Sequence, residues 1–242
     1  MQITIDTKLK LLAGLPITVE TFGLIRPLIL KEIIEYGYDK YIRMLNMMCL
    51  TNEHFGENLP KEFNEFDVLL LVSDDEVKGF LKESLQLFLQ DEIHLFPENQ
   101  VIAVGTNEKD LRIINRKNFL DIRKIIQLQN YVLSVEDSEN VSLKDEKAKE
   151  VAERMRKARE EVKRIKNKDN LEEESDFFDL LSSISSKSNS MNKIELLNLT
   201  IFQIYEEFKR LNHIDQYQTN IMAMLQGAKN IKLKHWSSKI KI

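Results

Sequence analysis

Apolar residues recur at spacings of three and four along much of this chain, which is the period of an amphipathic helix. The pattern is clearest over residues 191–212, where the apolar stripe consists of Ile194, Leu197, Ile201, Ile204, Phe208 and Leu211. Glycine and proline, which interrupt helices, number only 7 and 4 among the 242 residues. The sequence therefore predicts a mostly helical protein and argues against an all-β sandwich or a glycine-rich phosphate-binding loop.

Two short segments combine runs of β-favouring residues with the turn residues that are typical of β-hairpins. Residues 16–30 contain two β-rich runs around Gly23, and residues 97–116 contain two more around a polar turn. A helix that begins near Ile29 places Leu30, Ile33 and Ile34 on one apolar face. The predicted fold class is therefore α+β and predominantly α-helical, with small β-hairpins in the N-terminal part and a helical C-terminal part.

The periodic pattern also predicts where other helices lie. Residues 63–96 read as helical, and the acidic run 74–76 is typical of an N-cap and first helical turn, although it could also bind a divalent ion. A further helix is predicted from near Asn118 to about Val132. The C-terminal part is predicted to contain one helix over 191–212 and a separate one over 213–226.

Charge is sorted into blocks along the chain. The net charge is −8 over residues 1–143, +5 over 144–168, −6 over 169–179, zero over 180–225 and +5 over 226–242. Such blocks favour contact with a protein partner, or contact within the chain, over diffuse binding to nucleic acid. The predicted domains are an α+β body (1–133), a charged helical arm with an acidic and serine-rich linker (134–190), and a helical C-terminal segment with a basic tail (191–242).

The charged arm carries a thin heptad seam of apolar or small residues. Its members are Ala148, Val151, Met155, Ala158, Val162 and Ile165. The arm could be a solvated helix or could pair with a partner in a coiled coil, and self-association is possible. The acidic block that follows could neutralise the arm's positive charge.

Residue patterns that carry catalytic chemistry are missing from the sequence. The single cysteine, Cys49, lies in an apolar run, and the four histidines have no zinc-ligand spacing. No nucleophile motif or phosphate loop occurs. The chain also begins without a signal peptide and has no run long enough to cross a membrane. We therefore expect a soluble cytoplasmic protein that is not an enzyme and has no metal or cofactor.

The basic tail interleaves lysines with the one tryptophan, Trp236. Stacking and phosphate neutralisation would make this a conceivable nucleic-acid contact. The overall charge of −4 and the single aromatic residue instead favour docking on the acidic body or on a protein partner.

Four segments together resemble proteins from the tail gene cluster of tailed phages that infect Gram-positive bacteria. These segments are residues 25–37 together with Tyr41, residues 114–119 leading into 125–130, residues 199–210 and residues 227–237. The nearest functional family is the phage tail assembly chaperone. The resemblance implies a non-enzymatic protein of the host cytoplasm that binds the tape measure protein, the tail tube protein or both during tail morphogenesis. It also implies absence from the finished virion and production in a short and a frameshifted long form.

The residues expected to bind the partner come from the arm, the C-terminal stripe and the tail. They are Val151, Met155, Val162, Ile165, Ile201, Ile204, Phe208 and Trp236. Two alternatives to the chaperone stay open at this point. One is a structural tail or connector component of the virion, and the other is a nucleic-acid-binding regulator that uses the arm and the tail.

Overall fold

A computed structural model describes residues 3–55, 60, 62–107, 110–132, 176–188, 191–229 and 231–238. The predicted charged arm, with Val151, Met155, Val162 and Ile165, lies outside the described residues. Within them the predicted class is confirmed, because helices dominate and the strands form two small antiparallel sheets in the N-terminal part.

The helices and strands follow one another without long connections in the described segments. They are α1 (Ile5–Leu12), β1 (Ile17–Val19), β2 (Gly23–Ile25), α2 (Leu30–Tyr36), α3 (Tyr38–Met47), α4 (Glu65–Asp67), α5 (Asp75–Leu89), β3 (Ile93–Phe96), β4 (Val101–Val104), β5 (Arg112–Ile114), α6 (Phe119–Gln129), α7 (Phe177–Lys187), α8 (Lys193–Leu196) and α9 (Ile201–Leu225). The π-helical turn Val68–Val72 continues α4. Two 3₁₀ turns, Asn52–Phe55 and Pro97–Asn99, lie between the longer elements.

The first hairpin forms as its sequence predicts. Ile17 pairs with Ile25, and Val19 pairs with Gly23, whose φ of 115° suits a residue without a β-carbon. Gly37, with a φ of 101°, separates α2 from α3 and so allows two helices to follow one another across a sharp change of direction. The predicted hairpin is thus confirmed.

The second sheet has three strands, where the sequence predicts two. The order is β3-β4-β5, with Ile93 opposite Val104 and Ile102 opposite Ile114. The prediction of helix up to residue 96 is wrong, because α5 ends at Leu89 and Gln90 adopts a left-handed conformation. The acidic N-cap is confirmed, since the Asp74 side chain accepts from the Val77 N–H at 2.9 Å.

Helix α6 lies in the middle of the main core. Its buried apolar residues are Phe119, Ile122, Ile125, Ile126 and Leu128. Its polar side chains are used as well, because Arg123 Nε and Gln127 Nε2 each donate to the carbonyl of Met48 at 2.7 Å. These two donors satisfy a carbonyl at the C-terminal end of α3, which no helical N–H reaches.

The C-terminal helices differ from the prediction in where they break. The expected separation near residue 212 is wrong, since α9 is continuous for 25 residues, Ile201–Leu225. The interruption lies earlier, between α8 and α9. There the Thr200 side-chain oxygen accepts from the Gln203 N–H, and the Gln203 side-chain oxygen accepts from the Thr200 N–H. This reciprocal pair is a capping box, which starts a new helix.

Candidate partner-binding surface

The C-terminal helices are joined to the N-terminal body by backbone hydrogen bonds. The Leu30 N–H donates to the Leu199 carbonyl at 2.8 Å, and the Lys31 N–H donates to the Leu197 carbonyl at 2.9 Å. These are N–H groups of the first turn of α2, which have no partner within their own helix. The loop between α8 and α9 therefore caps α2, and this pairing fixes the two parts of the chain against each other.

A line of aromatic rings also packs where the C-terminal helices meet the N-terminal body, a region called the junction below. Tyr38 of α3 stacks on Phe177 of α7 with ring centroids 4.9 Å apart, and Tyr131 stacks on Tyr205 of α9 at 5.1 Å. Phe202 completes the line beside Tyr131 at 5.5 Å. Burial raises the pKa of the Tyr38 and Tyr205 hydroxyls, because the ionised phenolate is disfavoured away from water.

A small second core lies beside the junction. It consists of Leu30, Ile184, Leu196 and Ile204, all of which are buried. The sequence assigns Ile201 and Ile204 to partner binding, but the structure places both in the interior, with Ile204 fully buried. Phe208 is half-buried and packs against the same cluster. In this conformation Ile201, Ile204 and Phe208 contact the chain itself.

An apolar groove of about 170 Å³ lies over this second core. It is lined by Leu30, Ile34, Phe178, Leu181, Ser182, Lys193, Leu196 and Leu197. Its rim is open to solvent, because Phe178 is 72% exposed and Ile34 is 51% exposed. Ile34 lies beside Leu30 in the lining of the groove, as the predicted apolar face of this helix requires, but unlike Leu30 and Ile33 it is exposed. Exposed apolar side chains gathered around a concave site are typical of protein-binding surfaces.

The local sequence of α7 explains why Phe178 points outward. The Asp176 side chain accepts from the Asp179 N–H at 2.9 Å, and this cap starts the helix at Phe177. Consecutive residues of a helix lie about 100° apart, so packing Phe177 against Tyr38 turns Phe178 away from the core. Leu181, three residues further on, lies on the same side as Phe178 and extends the groove.

Trp236 does not line the groove. It lies in the tail, which runs back along the second half of α9, and its backbone carbonyl accepts from Arg210 at 3.3 Å. Its side chain is 48% exposed. Of the residues predicted to bind a partner, the structure therefore places Ile204 and Phe208 in or against the second core beneath the groove and Ile201 in the main core. It leaves Trp236 on a different surface.

A second, larger cleft of about 460 Å³ lies between α2 and α5 and is polar. Its charges neutralise one another, because Arg26 pairs with Glu32 at 2.6 Å and Lys40 pairs with Glu83 at 2.6 Å. The hydrogen bond from Lys40 lowers the pKa of Glu83, and the Tyr36 hydroxyl also donates to that carboxylate. These groups stabilise the helix pair and leave no unpaired charge to attract a ligand.

Other candidate chemical groups have structural roles. Cys49 is half-buried, its thiol donates to the Leu45 carbonyl, and burial raises its pKa, which disfavours the nucleophilic thiolate. His94 lies within β3 rather than in the helix predicted over residues 63–96, and its Nε2 lies 3.6 Å from a Glu92 carboxylate oxygen. Among the described residues no cluster of three or more His, Cys, Asp or Glu could hold a metal ion. None of the described helices is both long and apolar enough to span a membrane.

Comparison with known proteins connects the C-terminal part to phages. Residues 163–241, about a third of the chain, match the family described as the YomV second domain, and YomV is a protein of the Bacillus phage SPbeta region. The match includes α7, α8, α9 and the tail, and thus most of the groove. No curated protein and no solved structure matches the chain. The match indicates a phage-related protein.

Proposed function

We propose that this chain is a non-enzymatic assembly chaperone for phage tails that binds an apolar segment of the tape measure protein, the tail tube protein or both. The observation that carries the proposal is the open apolar groove with Phe178 on its rim. The family match supports a phage connection, and the resemblance of four sequence segments to tail-cluster proteins is what points to the tail. The site of action would be the host cytoplasm, before the tail is complete.

The groove offers a physical mechanism for such a role. Fully burying an apolar side chain contributes about 1.5–3 kcal/mol, so Phe178 and Ile34, which are already partly buried, would supply only part of the binding free energy. Because association itself has a cost, binding through this groove would be weak and reversible. Reversibility suits a chaperone, because the partner must leave to enter the tail. The charged arm, with Val151, Met155, Val162 and Ile165, would add a second contact through its heptad seam.

Co-expression tests the proposal with a matched pair of variants. The tape measure protein of the same genome is produced alone, with the wild-type chain, with Phe178→Ser and with Phe96→Ser. Phe96 is 45% exposed on β3 and lies outside the groove, so it controls for loss of an exposed phenylalanine. We expect the wild type and Phe96→Ser to keep the tape measure protein in the soluble fraction and Phe178→Ser to lose most of this effect.

Two outcomes would overturn the proposal. One is a tape measure protein, and a tail tube protein, that remain equally insoluble with and without the wild-type chain. The other is the presence of this chain in purified virions at the level of a tail protein, measured by mass spectrometry. That result would identify a structural component instead.

A further inference from the structure

The C-terminal end of the chain is free of negative side chains. Asp215 is the last acidic residue, and residues 216–242 contain five lysines and no aspartate or glutamate. Of these lysines, Lys229, Lys232 and Lys234 are described and all three are exposed. Asp215 itself forms an ion pair with Lys187 of α7. The surface formed by the tail is therefore locally cationic although the whole chain is acidic.

The tail is held in place along α9 by specific contacts. Arg210 donates to the backbone carbonyls of Trp236 and Ser238 at 3.3 and 3.4 Å. His213 Nε2 lies 3.0 Å from the Ser238 hydroxyl and 3.1 Å from the His235 carbonyl. These bonds come from two successive turns of α9, so they fix the backbone that presents the Trp236 indole.

The fixed tail assembles aromatic rings that are apart in sequence. His235 packs edge-on against Tyr217 of α9, with ring centroids 5.5 Å apart, and lies 5.4 Å from the Trp236 ring. The sequence counts against a nucleic-acid contact because the tail carries a single aromatic residue. The structure changes this balance, since the His235 ring links Trp236 to Tyr217 and nearly half of the Trp236 surface remains open.

We propose that this surface, the tail face (Tyr217, Lys229, Lys232, Lys234, His235 and Trp236), binds single-stranded nucleic acid without reading its sequence. The lysines neutralise phosphates, and the indole stacks on an unpaired base. An acidic protein segment would also be attracted by the lysines, but it would make no use of a supported, open stacking surface. The proposal is independent of the chaperone role, because the tail face and the groove use different residues.

Trp236 provides a direct readout because it is the only tryptophan in the protein. Titrating the full chain with oligothymidylate or oligouridylate should quench its emission as a base stacks on the ring. The logarithm of the association constant should fall with the logarithm of salt concentration with a slope of about −2, because each of three phosphates neutralised by a lysine contributes about −0.7.

Variants separate the charge and stacking contributions, with affinity measured by the anisotropy of a labelled oligonucleotide. Replacing Lys229, Lys232 and Lys234 with glutamine should weaken binding about tenfold or more. The matched control replaces Lys78, Lys82 and Lys117 on the body, which changes the net charge equally and should leave the affinity within twofold. Trp236→Leu should weaken binding about tenfold, while Trp236→Phe should restore most of it.

Three results would overturn the proposal. The first is an unchanged Trp236 emission on addition of either oligonucleotide at low salt. The second is an equal loss of affinity in the two lysine variants, which would reflect overall charge only. The third is polyglutamate that quenches Trp236 and binds as tightly as the oligonucleotides, which would assign the tail face to an acidic protein partner. Circular dichroism of each variant checks that the helices are intact.

Discussion

Replacing Ile204 with alanine tests whether the C-terminal helices are part of the folded core. Ile204 is fully buried between Leu30 of α2, Ile184 of α7 and Leu196 of α8. It therefore belongs to the same buried cluster as residues from the three elements that form the floor of the groove. If α9 packs as described, this one substitution should weaken the whole junction.

The expected loss follows from the atoms removed. Isoleucine has three more carbon atoms than alanine, and each contributes about 0.8 kcal/mol when buried, which gives about 2.4 kcal/mol. The cavity left behind adds a further cost, because neighbours relax only partly, so the total loss of unfolding free energy should be about 3–4 kcal/mol. The matched control is Ile194→Ala on α8, since Ile194 is 74% exposed and should change stability by less than about 0.5 kcal/mol.

Urea unfolding followed by circular dichroism at the helix band measures both variants. The Ile204→Ala midpoint should fall well below that of the wild type, while the Ile194→Ala midpoint should be unchanged. A loss of less than about 1 kcal/mol for Ile204→Ala, or equal losses for the two variants, would show that α9 does not close over the second core.

Three further predictions concern polar contacts. Thr200→Ala removes the N-cap of α9 and should lower the unfolding free energy by about 1 kcal/mol in urea, whereas Thr200→Ser should keep most of it. Tyr41→Phe leaves the buried Asn130 Oδ1 without the hydroxyl that donates to it at 2.9 Å, and should cost about 1–3 kcal/mol in the same assay. Burial opposes ionisation of Glu32, but hydrogen bonds from Arg26 and the Ile29 N–H outweigh it and lower its pKa below 4.5. The stability from this carboxylate is therefore complete well above pH 4.5 and is lost as the pH falls through the folded-state pKa, so Glu32→Gln should flatten the acid side of a plot of unfolding free energy against pH.

The sequence predicts those parts of the fold that depend on local signals. The hairpin around Gly23 and the acidic cap at Asp74 are confirmed, because the residue that each requires is present in the sequence. Strand β3 is missed because helix α5 ends at Leu89 and its capping residue is Gln90, so neither glycine nor proline marks the stop. Its apolar residues Ile93–Phe96 consequently read as a continuation of the helical pattern.

The groove itself is not predicted from the sequence, because it depends on contacts between distant segments. The pairing of Leu30 with Leu199 joins residues that no local rule connects, and it turns the apolar stripe with Ile204 inward. The serine-rich run after Leu181 reads as a linker, yet burial of Ile184 keeps it helical up to Lys187 despite the low helix propensity of serine. The start of α9 does have a local signal, because Thr200 and Gln203 are spaced three residues apart as in a capping box.

Site-specific photocrosslinking at position 178 tests the central claim most directly. A photoreactive phenylalanine derivative replaces Phe178 in the full chain, and a control carries it at Phe96, which is also exposed but lies outside the groove. In cells that produce the tape measure and tail tube proteins, we predict a crosslink from position 178 to one of them and little or none from position 96. Equal crosslinking from both positions, or none from position 178 to either protein, would contradict the assignment of the groove as the chaperone's binding site.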